Sequence, residues 1–367
     1  GQKIVLDANP GFRELRYPPP TDPADRQRAA KLVGRKLPLI GRIELSVIDE
    51  SSPRLLAFAQ NDLDYLTIPI DLVPKVLDTG NRLLPQYANA GVQLEREVLP
   101  AMSYLYFNME DPVVGGYTPE RIALRRAIAL AYDVDEDIRV IRQGQGMPAT
   151  QVVPPGMSGH DRSIGGRSLY DPAAARALLD RFGYRDRNGD GLRERPDGSP
   201  LSIRMYSTPA AIDRQIDELW KKNMSAIGVD VEFVKQKWPD LLKAARQGQL
   251  QAWRLGNINT HPEGFGFFGL LYGGHAGFSN LARFKLPEYD RLFVAARALP
   301  DGPERAKLTR QMNDIVRNYA PWVLLAFRVD NVVVQPWVLG YKLNPNWQHP
   351  WAYLDIDTAQ RARATAK

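Results

Sequence analysis

The chain has 367 residues, 44% of them hydrophobic and 25% charged, with no cysteine, four histidines and a formal charge of +6. That length allows two or more domains with an ordinary globular balance. It excludes disulfides and thiolate metal sites, and no apolar run approaches the ~20 residues of a membrane-spanning helix. The basic residues are scattered without interleaved aromatics, which argues against a nucleic-acid surface.

Lys3–Leu6 reads as a strand and Asn9-Pro10-Gly11 as a turn. Tyr17–Pro23 is a stiff proline-rich segment, either a connection or an SH3-type ligand. A basic, helix-like stretch follows over Ala24–Lys36. Arg42–Val47 reads as a strand and Pro53–Gln60 as a helix, with Asn61–Leu66 returning to a strand. Asp71–Leu77 suggests a short helix and Val92–Leu99 another strand. Tyr104, Tyr106 and Asn108 then alternate with Leu105, Phe107 and Met109, the period of a strand. Turn residues Asp111-Pro112 and Gly115-Gly116 lead to a helix with Thr118 as N-cap and Pro119 at its first position. Leu124, Ala127, Ile128 and Ala131 recur at helical spacing as its buried stripe, with Arg125 beside it.

Ala149–Gly166 is a loop. Asp171-Pro172 caps an Ala-rich helix ending at Gly183. Leu201, Ile203 and Met205 line a strand, Ala210–Ala226 a helix, and Val229, Val231 and Phe233 a further strand. Pro239 starts a short helix, Leu250–Leu255 is strand-like, and Pro287–Ala298 and Pro303–Asn318 are helices. Strands alternating with helices predict an α/β fold with a mixed or mainly parallel sheet covered on both faces.

Asp186-Arg-Asn-Gly-Asp-Gly-Leu-Arg-Glu-Arg-Pro-Asp197 places oxygen side chains at the first, third, fifth, ninth and twelfth places, with Gly191 at the sixth. That is the pattern of a calcium loop, whose candidate ligands are Asp186, Asn188, Asp190 and Asp197. Asp197 stands where a bidentate Glu is usual, and Pro196 and Pro200 leave no second helix, so an Asx-type turn without metal is the competing reading.

Candidates for catalysis are poor. His160, His261, His275 and His349 are far apart, and no nucleophile elbow, zinc-protease motif or P-loop is present. Two readings stay open on the residues alone: a non-catalytic binding protein, or an α/β hydrolase or transferase with its site on scattered loops. A membrane-surface role has only the positive charge behind it.

Several stretches, in collinear order, resemble the family 5 extracellular solute-binding proteins, the peptide- and nickel-binding components of ABC importers. They are the strand ending in Phe107-Asn108, Arg125-Arg126-Ala127-Ile128-Ala129, the Val153-Pro154-Pro155-Gly156 loop, Pro287-Glu288-Tyr289-Asp290, and Pro336-Trp337-Val338-Leu339-Gly340-Tyr341. The resemblance implies a two-lobed periplasmic binding protein of type II, dipeptide- and oligopeptide-binding-protein-like. Residues 1–104 form part of lobe I, 105–329 the third lobe on the ligand side, and 330–367 a return segment completing lobe I. It also implies that roughly the first third of a full-length protein precedes this stretch. The implied function is capture of a small solute, an oligopeptide or peptide-like compound, between lobes, with delivery to an inner-membrane ABC permease by a periplasmic monomer. Candidate ligand-binding residues are Asn108, Tyr206, Trp253, Asn257, Asn259, His261, Tyr272 and His275. Peptide-binding members carry an Asp in the stretch that here reads Trp253–Pro262; Ile258 stands at its place, flanked by Asn257 and Asn259. A buried ammonium without a carboxylate partner is costly, so a neutral or anionic ligand fits better. With one wall of the site absent, Trp253 and Tyr272 are expected to be unusually exposed.

Overall fold

Alternating residues at the start of the chain pair into a ribbon: β1 (Lys3–Asp7) runs antiparallel to β2 (Arg42–Ser46). The register sets Ile4 and Leu6 opposite Leu45 and Ile43 on one face, while ion pairs Lys3–Glu44 and Arg42–Asp7 occupy the other. The computed structural model describes residues 3–165, 169–259, 261–344, 346 and 349–366; Gly166 of the predicted loop and Thr260 of the Trp253–Pro262 stretch lie outside them. The chain divides into two units, Gly1–Glu97 with Val329–Lys367, and Val98–Arg328.

In the first unit the helix expected over Ala24–Lys36 shrinks to a 3-10 turn, Pro23–Asp25, and one turn of helix, Arg26–Ala29. Ala29 and Leu32 are buried there, too few for an apolar stripe, and a short helix without tertiary support does not propagate. Helix α1 (Ser51–Ala59) buries Leu55 and Phe58 in a small core with Leu66 of β3 (Tyr65–Thr67).

The second unit begins inside β4 (Gln93–Phe107), one strand where the sequence suggests two. Pro100 does not break it, because proline's fixed φ suits an extended chain, and its carbonyl still accepts from Asn259 N at 2.8 Å. Helix α2 (Pro119–Ala131), strand β5 (Gly146–Pro148) and helix α3 (Pro172–Arg181) follow. Then come β6 (Ser202–Ser207), α4 (Ala211–Ser225), β7 (Asp230–Lys235), α5 (Trp238–Arg246) and β8 (Ala252–Ile258). Helices α6 (Pro287–Arg297) and α7 (Pro303–Tyr319) precede β9 (Trp322–Val334), which carries the chain back to the first unit.

The sheet of the second unit runs β9-β4-β8-β6-β7; β4 is antiparallel to β8, and β8, β6 and β7 are parallel. The two-residue period sends Leu105, Phe107, Ile203, Met205 and Ala252 to one face, into a core with α2 and α4. Tyr104, Tyr106, Trp253 and Leu255 go to the other, into a core with Leu241 of α5, Phe293 of α6 and Met312 of α7.

Arg125 is the exception on α2. It is fully buried with the apolar stripe rather than beside it. Its guanidinium donates to the carbonyls of Val114 at 2.7 Å, Gly116 at 3.0 Å and Tyr319 at 3.0 Å. Tyr319 is the last residue of α7, where the negative end of the helix dipole favours a cation.

Past the unit boundary, Val332–Val334 of β9 pair with β3. Trp337 Nε1 donates to Asp64 at 2.8 Å, Gln335 to the Phe58 carbonyl at 2.8 Å, and Trp351 Nε1 to the Tyr65 hydroxyl at 2.7 Å. Gly340 turns the chain with φ 78°, and a Cβ there would lie 2.6 Å from Leu32 Cδ1, so only glycine fits. The C-terminal segment is thereby fastened to residues 1–97.

Candidate functional site

Parallel strands bring their carboxyl ends to one edge, the usual place for ligands in open α/β sheets. In the second unit that edge is formed by Ser207 of β6, Lys235 of β7 and Ile258 of β8. Because β4 is antiparallel to β8, its entering residues Ala101–Tyr104 lie at the same edge, opposite Ile258–Leu255. β6 and β7 stop level with Trp253, since Tyr206 pairs with both Trp253 and Val234. The β4–β8 pair projects beyond them as a ledge.

Tyr206, Trp253 and Asn257 share one face of this edge. Tyr206 is half-buried at the end of β6. Trp253 is only 1% exposed, contrary to the exposure expected of it. The cause is local: its indole meets Tyr106 edge-on at 6.4 Å and is covered by Trp238 at 4.8 Å. Asn257 is half-buried and bonds the Tyr104 hydroxyl, whose pKa burial pushes up while that bond opposes the shift. Asn259 spends its amide inside its own loop, donating to the Glu263 carbonyl at 2.8 Å and accepting from His261 N at 3.1 Å. His261 is exposed.

The other three candidates lie elsewhere in the unit. Asn108, just past β4, is buried, with its amide donating to the Gly248 carbonyl at 2.8 Å and accepting from Glu110 N at 3.0 Å. Tyr272 is half-buried rather than unusually exposed, because it stacks on Phe293 at 4.6 Å. His275 meets Tyr272 edge-on at 5.0 Å and bonds the Gly269 carbonyl through Nδ1 at 2.9 Å. These two belong to an aromatic cluster around α6.

Two carboxylates near the edge, Asp213 and Asp217, are already paired. Asp213, at the start of α4, receives Arg254 of β8 and the Thr208 hydroxyl and N–H. Burial pushes the Arg254 guanidinium down to about 10, with the neighbouring Arg142 acting in the same direction. Asp217 holds Lys235 at 2.5 Å and the Ser207 hydroxyl at 2.7 Å. Burial raises the Asp217 carboxyl, and the Lys235 and Ser207 bonds counter it. What the edge offers a ligand is therefore aromatic surface and neutral amides. The sequence reading passes over Trp238; the signal it left was an indole beside a proline at the start of a helix, directly after a strand.

In the Asp186–Asp197 loop, one oxygen each from Asp186, Asp190 and Glu194 come within 4.8 Å of one another. Asp197 is not in that group, because its carboxylate accepts from Ser199 N at 3.0 Å and from the Ser199 hydroxyl. The remaining bonds are those of Asx turns: Asp186 accepts from Gly189 N at 2.7 Å and Gly191 N at 2.9 Å, Asn188 from Asp190 N, and Asp190 from Leu192 N. The Asn188 amide N–H also points at Asp190 Oδ2, at 3.0 Å, where a cation would need an oxygen. The expected result is that EDTA leaves the melting temperature unchanged, while Asp186→Ala lowers it by about 2–4 °C through the lost backbone bonds. A calcium-dependent rise reversed by chelator would contradict the turn reading.

Residues 1–279 match the family described as bacterial extracellular solute-binding proteins, family 5 middle. Heme-binding protein A of Haemophilus influenzae is 28% identical over 311 residues, which are 83% of this chain and 52% of that protein. The dipeptide-binding protein of Escherichia coli is 23% identical over 326 residues, 87% of this chain and 56% of that protein. The ABC transporter-associated periplasmic binding protein DppA from Helicobacter pylori, solved with the peptide STSA, matches with a TM-score of 0.70 at 21% identity. That match covers 97% of this chain and 60% of the other, and at such identity the likeness is one of fold. The chain spans about half the length of the curated relatives it matches.

Proposed function

Because the chain belongs to the bacterial extracellular solute-binding proteins of family 5, we propose that it captures a small solute for an ABC importer. Members of this family bind solutes without transforming them. The observation that carries the proposal is the aromatic and amide edge at the carboxyl ends of β6, β7 and β8, whose nearby carboxylates Asp213 and Asp217 are spent on Arg254 and Lys235. Such an edge suits a ligand recognised by stacking and neutral hydrogen bonds, and offers a free ammonium neither Asp213 nor Asp217. Peptides and peptide-like compounds are the first class we propose, with any charged amino end held by groups outside this edge. Heme is the second, because a relative is named for it.

In this reading Tyr206, Asn257 and His261 meet the solute, while Asn108, Trp253 and Asn259 hold the elements that present them. The first unit is lobe I of the family and the second its third lobe. The protein works in the periplasm as a monomer and passes its solute to an inner-membrane permease. A thermal-shift screen with dipeptides, a tetrapeptide and hemin tests this. At least one should raise the melting temperature in a saturable way and be recovered unchanged by mass spectrometry. Turnover, or no shift from any of the three, would count against it.

A further inference from the structure

We propose that Arg305 of α7 is a positioning residue for solute capture: it fixes Glu263 and, through it, Asn259 and His261 beyond the end of β8. This rests on the solute-binding reading above, in which His261 meets the solute. His261 is exposed, so its direction is set by the backbone beneath it. That backbone is tied in sequence. His261 N donates to Asn259 Oδ1 at 3.1 Å, and the Asn259 amide donates to the Glu263 carbonyl at 2.8 Å. Glu263 Oε1 then accepts from Phe265 N at 2.8 Å and lies 3.1 Å from Arg305 Nη2.

Ion pairs at a surface usually contribute little, because two flexible side chains must be ordered to make them. Arg305 is ordered by other contacts. Its side chain is only 13% exposed, its guanidinium lies over the Phe265 ring at 4.3 Å, and Asp301 one turn earlier holds Nη1 at 2.8 Å. The other oxygen of Asp301 accepts from the Ser158 hydroxyl. Ser158 also braces the backbone beside Glu263: its N–H donates to the Pro262 carbonyl at 3.1 Å, and its carbonyl accepts from Gly264 N at 3.0 Å. A Cβ at Gly264 would lie 2.4 Å from Val153 Cγ1, so the two segments meet too closely for any other residue. The Glu263 side chain has no such packing. It borders a polar cavity of about 250 Å³, shared with Asp161, Thr309 and Arg310. Polar bonds to Arg305 and Phe265 N therefore fix it, and the charge of Arg305 is the one that a single substitution removes.

The test has two arms on the full chain, with melting curves to show that each variant is folded. Arg305→Met keeps an apolar stem over Phe265 and removes the charge. In the ligand-free chain it should speed hydrogen exchange of the His261 and Phe265 amides about fivefold and leave those of α6 unchanged. In calorimetric titration with tetra-alanine, His261→Ala should weaken binding about fivefold in the parent, but less than twofold in the Arg305→Met background. A merely structural Arg305 would lower the melting temperature and leave the His261 effect at full size. Unchanged exchange, or equal His261→Ala effects in the two backgrounds, would overturn this inference and leave the solute-binding reading standing. So would tetra-alanine binding that His261→Ala does not alter in the parent. Failure of tetra-alanine to bind the parent would overturn the inference together with peptide-like solutes as the ligand class.

Discussion

Arg125→Ala is expected to cost about 3–4 kcal/mol and lower the melting temperature by roughly 10 °C. The guanidinium serves carbonyls from two separate segments, the Val114–Gly116 turn and the last residue of α7, so its removal strands three acceptors at once, one buried and two part-buried. Burial pushes the group down to about 10. Arg125→Lys should recover little, because a single ammonium lacks the planar fork that reaches carbonyls on two sides. If the alanine variant melts within about 2 °C of the parent, the carbonyls have found other partners and the account of this region is wrong.

Asp213→Ala should cost about 3–5 kcal/mol, since it leaves the Arg254 guanidinium buried and unpaired beneath β8. The Thr208 N–H, which donates to Asp213 at 3.2 Å, loses its acceptor too. Replacing both partners, Asp213→Leu with Arg254→Met, should restore most of the stability, because no uncompensated charge remains. A double variant as unstable as the single one would show that the pair organises the strand rather than merely neutralising it. Arg254 and Trp253 are neighbours on β8 and point to opposite faces, so the recovered variant also reports whether the ligand edge tolerates a rebuilt underside.

Local signals carried much of the fold. The alternation of Tyr104 to Phe107 and the Thr118-Pro119 start gave the strand and helix that the structure shows, because both depend on near neighbours. What stayed hidden depends on partners distant in sequence. Arg125 is buried by the end of a helix 194 residues further on, and nothing beside it in sequence announces that. Trp253 is covered by the indole of Trp238 at the start of helix α5, so its burial could not be read from its own strand. Asn259, a candidate ligand-binding residue, is the local exception: its amide closes its own loop onto Glu263, four residues away. The Asp186 loop shows the reverse case, in which a correct spacing of oxygens is consumed by the backbone of the turn that creates it.

The central claim is that a solute binds at the carboxyl-end edge of β6, β7 and β8. Hydrogen exchange on the full chain, with and without saturating amounts of the probe that most raises the melting temperature, tests it directly. Slower exchange is predicted across Trp253–Asn259 and across Lys235–Leu241, where β8 ends and Trp238 opens its helix. Protection confined to other parts of the second unit, such as the Asp186–Asp197 turn or the Tyr272–His275 cluster, would contradict it.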